Sequence, residues 1–286
     1  MYEQHFHLRE RPFAALPDPR YLCLTRQHST ASTLLDYGLQ SDSPVVVLTG
    51  APGCGKTTLV QHLASRLDAS TRLGIVNNVH RGSGRMLHWA ALSFGLNVVR
   101  RDVPSLHALL AGFVDESVGR GERLLLVVDE AQNLGRARLE ELRVLTNLNR
   151  RPCVDLRLLL VGQPELREVL RSDRLRQLVQ RIGIDYHLAP LSLDESVEYV
   201  GHRIAVAGGD AGLIDHAAIE LAHRCSGGVP RLLNQLCDLA LVYAYAEQCA
   251  RVEAPLMERV TRERMQSGLY AVASSPFAES GPVSAG

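Results

Sequence analysis

The chain has almost no lysine. Of its 31 basic side chains, 30 are arginine and one is lysine, Lys56. An ammonium is a compact charge on a thin stem, whereas a guanidinium is a wide planar fork. A position that keeps the ammonium in such a chain points to a tight anionic pocket. Cysteine is sparse too: Cys23, Cys54, Cys153, Cys225, Cys237 and Cys249 contain no C-x-x-C pair. That spacing argues against a zinc knuckle or a dithiol redox motif. Six cysteines in 286 residues are too few for a disulfide framework, and a reduced cytoplasmic setting is the expectation. The eleven histidines form no H-E-x-x-H or similar metal spacing, with His5 and His7 an isolated surface pair. No G-x-S-x-G elbow is present. Net charge is absent as well, with 31 basic against 31 acidic groups, which excludes a polycation or an acidic tail protein. Long apolar runs are missing. Met1–Glu10 lacks the apolar stretch of a signal peptide. Leu232 to Ala246 is interrupted by Asn234, Gln235 and Asp238, so it reads as a buried helix and not a membrane span.

What is present suits a folded protein of about two domains. Apolar residues make up 46% of the chain, enough for packed cores. Residues 1–40 read as a mixed N-terminal segment packed on the core, with Phe6, Leu8, Phe13 and Leu16 as anchors and a helix from Gln27 to Leu39. Residues 41–190 alternate apolar strands with amphipathic helices. The strands are Val45–Thr49, Leu73–Asn77, Leu124–Val128, Leu156–Val161 and Ile182–Leu188. The helices include Lys56–Leu67 and Arg136–Arg150, and Pro164 takes a first helical position. This alternation predicts an α/β fold, a five-stranded parallel sheet covered on both faces. After Pro190 the pattern becomes all-helical. Ser192 with Glu195 forms a capping box, Asp215 caps a second helix, and Pro230 opens a third. Residues 191–267 are expected to form a small helical lid, and 268–286 a disordered tail rich in Ser, Pro, Gly and Ala.

Gly50-Ala51-Pro52-Gly53-Cys54-Gly55-Lys56-Thr57 matches the phosphate-loop pattern G-x-x-x-x-G-K-[ST] in full, between a strand and a helix. The glycines let backbone N–H groups turn toward phosphate oxygens at a helix N-terminus. Lys56 would reach the β- and γ-phosphates of ATP, Thr57 would hold Mg²⁺, and Thr58 would add an α-phosphate contact. Asp129-Glu130 ends an apolar strand. Asp129 would hold Mg²⁺ through water and Glu130 would activate the attacking water, the alternative being an acidic helix cap. Gln163 follows the next strand and could sense the γ-phosphate, or simply cap a helix. Charge developing on the phosphoryl group calls for an arginine. Arg231 sits in the first turn of a helix, where a cation opposes the dipole. Arg181 is a second candidate, with Arg171, Arg174 and Arg176 as rivals. Cys54 reads as a tolerant loop position, or as a thiol whose oxidation would block nucleotide binding.

In order, these motifs resemble a family. The phosphate loop, Asp129-Glu130-Ala131-Gln132, Gly162-Gln163-Pro164-Glu165-Leu166 and Gly228-Val229-Pro230-Arg231 follow Leu8-Arg9-Glu10-Arg11-Pro12-Phe13 and Pro17-Asp18-Pro19-Arg20. Together they are similar to the ExeA-type (general secretion pathway protein A) AAA+ ATPases, relatives of the TnsC and TniB transposition ATPases. The resemblance covers residues 1 to about 267. It implies a P-loop NTPase core with a helical lid, ATP hydrolysis with Mg²⁺, and assembly into homo-oligomeric rings or filaments. It further implies a sensor at Gln163, a lid arginine at Arg231 and a trans-acting arginine at Arg181. Such proteins usually continue through a membrane span into a peptidoglycan-binding part; here a Ser/Pro/Gly tail is expected instead. Two clients remain open. One is a protein of a secretion or envelope apparatus, served from the cytoplasm or from the inner membrane face. The other is duplex DNA, for which Arg136, Arg138, Arg150 and Arg151, or Arg100 and Arg101, are local basic groups.

Overall fold

The computed structural model describes residues 1–14, 18–77, 84–99, 102–149 and 155–266. In chain order the elements begin with α1 (Tyr2–His5), α2 (Arg26–Gln40), β1 (Val45–Gly50), α3 (Lys56–Arg66) and β2 (Thr71–Val76). Next come α4 (Met86–Ser93), α5 (Val103–Gly119), β3 (Arg123–Val128), α6 (Gly135–Thr146), β4 (Leu156–Gly162), α7 (Glu165–Leu170) and α8 (Arg176–Val179). The chain then runs through β5 (Ile182–Leu188), α9 (Leu193–Val206), α10 (His216–Ser226), α11 (Pro230–Ala246) and α12 (Ala254–Gln266).

Contacts divide the chain into two compact units. One comprises Gln27–Ala51 and Leu59–Leu188; the other comprises Met1–Arg26, Pro52–Thr58 and the residues from Ala189 onward. This division differs from the expected 1–40 segment, because residues up to Arg26 group with the C-terminal helices and Gln27–Gln40 with the sheet. The expected tail, 268–286, lies outside the described residues.

The first unit is a five-stranded parallel sheet in the order β2-β3-β4-β1-β5. Its inner strands are rich in Val and Leu. β1 and β4 are buried along their whole length, and β3 is buried beyond Arg123. The edge strands β2 and β5 are only partly buried, since an edge strand has one side without a partner. Leu139, Leu142 and Leu145 bury one stripe of α6 in the core that also holds Leu126, Val128 and Leu160.

α6 ends at Thr146, short of the end expected at Arg150, which lies outside the described residues. Two side chains account for the stop. Arg181 donates to the Arg143 carbonyl at 3.1 Å and to the Thr146 hydroxyl, satisfying the last turn with a cation where the helix dipole favours one. Asn149 donates to the Leu156 carbonyl at 3.0 Å and accepts from the N–H groups of Asp155 at 3.1 Å and Leu156 at 2.8 Å. The chain after α6 is thereby tied to the start of β4. Pro164 falls one position ahead of α7, as its N-terminal cap.

The second unit is helical. The Ser192 hydroxyl accepts the Glu195 N–H at 3.2 Å while Glu195 accepts the Ser192 N–H at 3.0 Å, the reciprocal box that opens α9. Asp215 accepts the Ala218 N–H at 2.6 Å and opens α10. α11 buries Leu233, Leu236, Cys237, Ala240, Leu241 and Ala244 along one stripe, which accounts for its apolar composition without a bilayer. The N-terminal residues Tyr2, Phe6, Leu8, Phe13 and Tyr21 share this apolar cluster.

Arg203 of α9 anchors that N-terminal strap. It is buried, donates to the Pro12 carbonyl at 2.6 Å and the Tyr199 hydroxyl at 2.8 Å, and lies 4.8 Å from the Tyr21 ring centroid. Tyr2 donates to Asp238 at 2.5 Å, and burial together with that carboxylate pushes the phenol pKa up. Arg203→Ala removes a cation shared by a carbonyl, a hydroxyl and an aromatic face. It is expected to cost about 2–4 kcal/mol in urea unfolding and to open residues 9–26 to proteolysis. Wild-type stability with an intact strap would contradict this reading.

Candidate nucleotide-binding site

Each unit carries one group of the predicted residues. In the helical unit, the loop after β1 turns through two left-handed glycines, Gly53 at φ 83° and Gly55 at φ 96°. Cys54 between them is fully buried. Lys56, the first residue of α3, is only 6% exposed, and no acid stands in that helix's first turn. A buried ammonium at a helix N-terminus is opposed by both desolvation and the dipole. Such a residue is kept where an anion binds. Thr57 is exposed and Thr58 half-buried at the same turn.

Arg231 is brought directly onto this loop. Its backbone N–H donates to the Gly53 carbonyl at 3.3 Å. A β-carbon built on Gly53 would lie 2.8 Å from the Arg231 Cβ and 3.2 Å from a Val229 methyl. The arginine stem therefore occupies the space a side chain at position 53 would need, and the residue itself is exposed. The turn before it is pinned as well: the Gly228 carbonyl accepts the Leu191 N–H at 2.8 Å.

The other group lies along the sheet edge where the parallel strands end. β4 sits between β1 and β3, so Gln163 stands between Gly50 and Asp129 on that edge. Asp129 follows β3 and accepts the Glu130 N–H at 2.8 Å. Glu130 has a left-handed backbone, φ 52° and ψ 38°. A non-glycine residue held there is strained, and strain of this kind is retained at functional sites. The Glu130 carboxylate accepts from the side-chain amides of Gln132 and Gln163, the latter at 3.2 Å. The Gln132 amide oxygen accepts the Gln163 backbone N–H at 3.0 Å. Glu130 and Gln163 are thus joined as expected, and Gln132 is a member that sequence reading missed. Its signal was weak: a polar residue two positions beyond the acid.

Arg181 is elsewhere, half-buried at the end of α6. Burial, reinforced by nearby Arg143, holds its pKa below the usual guanidinium value, though a guanidinium stays charged. Its rivals Arg171, Arg174 and Arg176 are exposed, and Arg176 pairs with Asp173 at 3.1 Å. Of the basic groups considered for DNA, Arg136 is exposed on α6. Arg100, Arg101, Arg150 and Arg151 lie outside the described residues.

The donors fit Mg²⁺ chemically. Thr57 offers a hydroxyl and Asp129 a carboxylate, both hard oxygens. Among the described residues no three or more His, Cys, Asp or Glu gather to hold a metal.

Residues 39–170 match the AAA domain. Over 247 residues the chain is 39% identical to the general secretion pathway protein A of Aeromonas hydrophila, covering 86% of this chain and 45% of that protein. The chain is similar to the ExeA-type AAA+ proteins. It spans less than half the length of that curated relative. Solved structures agree on the fold. The Aeropyrum pernix ORC2 protein superposes with a TM-score of 0.66 at 20% identity, covering 92% of this chain and 75% of that one. Drosophila ORC bound to DNA gives 0.64 at 20% identity, over 90% and 65% of the two chains. The Thermotoga maritima RuvB branch migration motor gives 0.52 at 21%, over 82% and 67%. Among the described residues, no helix is long and apolar enough to cross a membrane.

Gly53 supplies a test of the loop packing. Gly53→Ala combines a positive φ with a clash against Arg231 and is expected to cost about 2–4 kcal/mol in urea unfolding. Gly121→Ala has a similar φ, 74°, but open space around it, and should cost only about 1 kcal/mol. Equal effects would mean that Arg231 does not press on the loop.

Proposed function

We propose that this protein binds ATP with Mg²⁺, hydrolyses it, and uses the cycle to assemble or remodel a protein partner. The buried Lys56 at the mouth of α3 carries the reading. In a chain otherwise furnished with arginine, the one lysine occupies the position of the phosphate-loop pattern that meets the β- and γ-phosphates. Loop N–H groups from Gly50, Ala51, Pro52, Gly53, Cys54 and Gly55 to Thr58 would surround the phosphate chain, proline contributing backbone shape and no N–H. Thr57 and Asp129 would hold Mg²⁺, which neutralises charge on the phosphates when bound. Glu130 would take a proton from the attacking water. Gln163, already bonded to that carboxylate, would report the γ-phosphate. Arg231, seated on Gly53, would answer to the same phosphates from within the chain.

The protein-partner reading rests on the 39% identity to a general secretion pathway protein. A ring or filament of this chain would place an arginine of a neighbouring subunit at the γ-phosphate. Arg181 matches the family position. Its bonds to Arg143 and Thr146 make exposed Arg171 and Arg174 competitors for that role.

Two variants test the chemistry together. Glu130→Gln should bind a fluorescent ATP analogue normally while turnover falls about 10²-fold or more. Lys56→Ala should lose both binding and turnover, and Lys56→Arg should not restore them because the fork does not fit. Wild-type turnover in Glu130→Gln would remove the base assignment, and wild-type affinity in Lys56→Ala would remove the site. A salt-dependent titration with duplex DNA, with and without ATP, decides the client: tight ATP-dependent DNA binding would overturn the protein-partner reading.

A further inference from the structure

Gln132 lies outside every residue set that the phosphate-loop reading assigns, yet its side chain bonds two of the predicted residues. Its amide is used at both ends. Nε2 donates to Glu130 Oε2, and Oε1 accepts the backbone N–H of Gln163 at 3.0 Å. Gln163 Nε2 donates to the same Glu130 oxygen at 3.2 Å. Two amides thus converge on Oε2, and among the described residues no protein donor is bonded to Oε1. The surroundings are shaped for this amide. A β-carbon on Gly162 would fall 2.9 Å from Gln132 Oε1 and 2.9 Å from a Leu166 methyl, so a side chain there would displace both. The left-handed turn at Glu130 sends the chain back so that a residue two positions on can reach the acid's own carboxylate.

We propose that Gln132 is a positioning residue for hydrolysis. It fixes one oxygen of Glu130, ties that carboxylate to Gln163, and presents Oε1 to the attacking water. The inference rests on Glu130 acting as the base. Without the Gln132 donor, the carboxylate regains its rotamers and Gln163 loses its backbone tie.

The experiment uses the full chain with Mg·ATP and three variants. Gln132→Ala should lower kcat about 10- to 100-fold, with KM and nucleotide affinity unchanged. Gln132→Glu sets a second carboxylate against Glu130. It keeps an acceptor for the Gln163 N–H but loses the donor to Glu130, so kcat should fall as in the alanine variant while Gln163 exchange stays near wild type. Gln132→Asn, too short to bridge, should resemble the alanine variant. Amide exchange in nucleotide-free protein gives a readout independent of turnover. The Gln163 N–H should exchange at least about tenfold faster in Gln132→Ala, the loss of one modest hydrogen bond. Wild-type kcat in all three variants and wild-type Gln163 exchange in Gln132→Ala, alongside an inactive Glu130→Gln, would overturn the proposal and leave the base intact. A fully active Glu130→Gln would instead remove the reading on which the proposal rests. An unfolded Gln132→Ala leaves the decision to Gln132→Asn: wild-type kcat and wild-type Gln163 exchange there overturn the proposal.

Discussion

The Gly53 carbonyl accepts the N–H of Arg231, and the stem of that arginine fills the space beside the glycine. The arrangement is local and restrictive. The loop must turn through positive φ at two positions, and one of those positions has no room for even a methyl group. Arg231 is held in the first turn of α11, the end of a helix that repels a cation. Lys56 is held in the first turn of α3 under the same penalty. Two cationic side chains at two helix N-termini, linked through Gly53, would be stabilised together by a bound polyanion. The fold tolerates this cost because the rest of α11 buries an apolar stripe.

At the sheet edge the constraint is of a different kind. No β-carbon clash is needed at Glu130; the strained backbone is stabilised by hydrogen bonds on each side of it. Asp129 takes the Glu130 N–H, and Gln132 and Gln163 take the carboxylate. Strand order completes the arrangement, because inserting β4 between β1 and β3 sets Gln163 next to the end of each. Local strain, side-chain pairing and topology thus act on the same carboxylate.

Much of this was legible in the sequence because it depended on near neighbours. Runs such as Val45–Leu48 and Leu124–Val128 could only be buried strands, and all five strands formed where apolar runs predicted them. The Ser192–Glu195 box and the Asp215 cap involve residues three apart, so their geometry is written locally. The phosphate loop sits at its predicted strand-to-helix junction. What was not legible depended on distant partners. The stop of α6 at Thr146 is imposed by Arg181, 35 residues on, against a leucine periodicity that continued to Leu148. The grouping of residues 1–26 with the C-terminal helices follows from Arg203 reaching Pro12 across 191 positions. Gln132 stood in a motif of the resemblance with no role attached to it, since its partner Gln163 lies 31 residues away.

Hydrogen exchange on the wild-type protein tests the central claim most directly, that the loop and the first turn of α11 act as one nucleotide-binding piece. Slowly hydrolysed Mg·ATP analogue should protect the amides of Gly53–Thr58 and those of Arg231 and Leu232 together, with the same concentration dependence. Protection of the loop alone, with the α11 amides unchanged at saturating nucleotide, would contradict it.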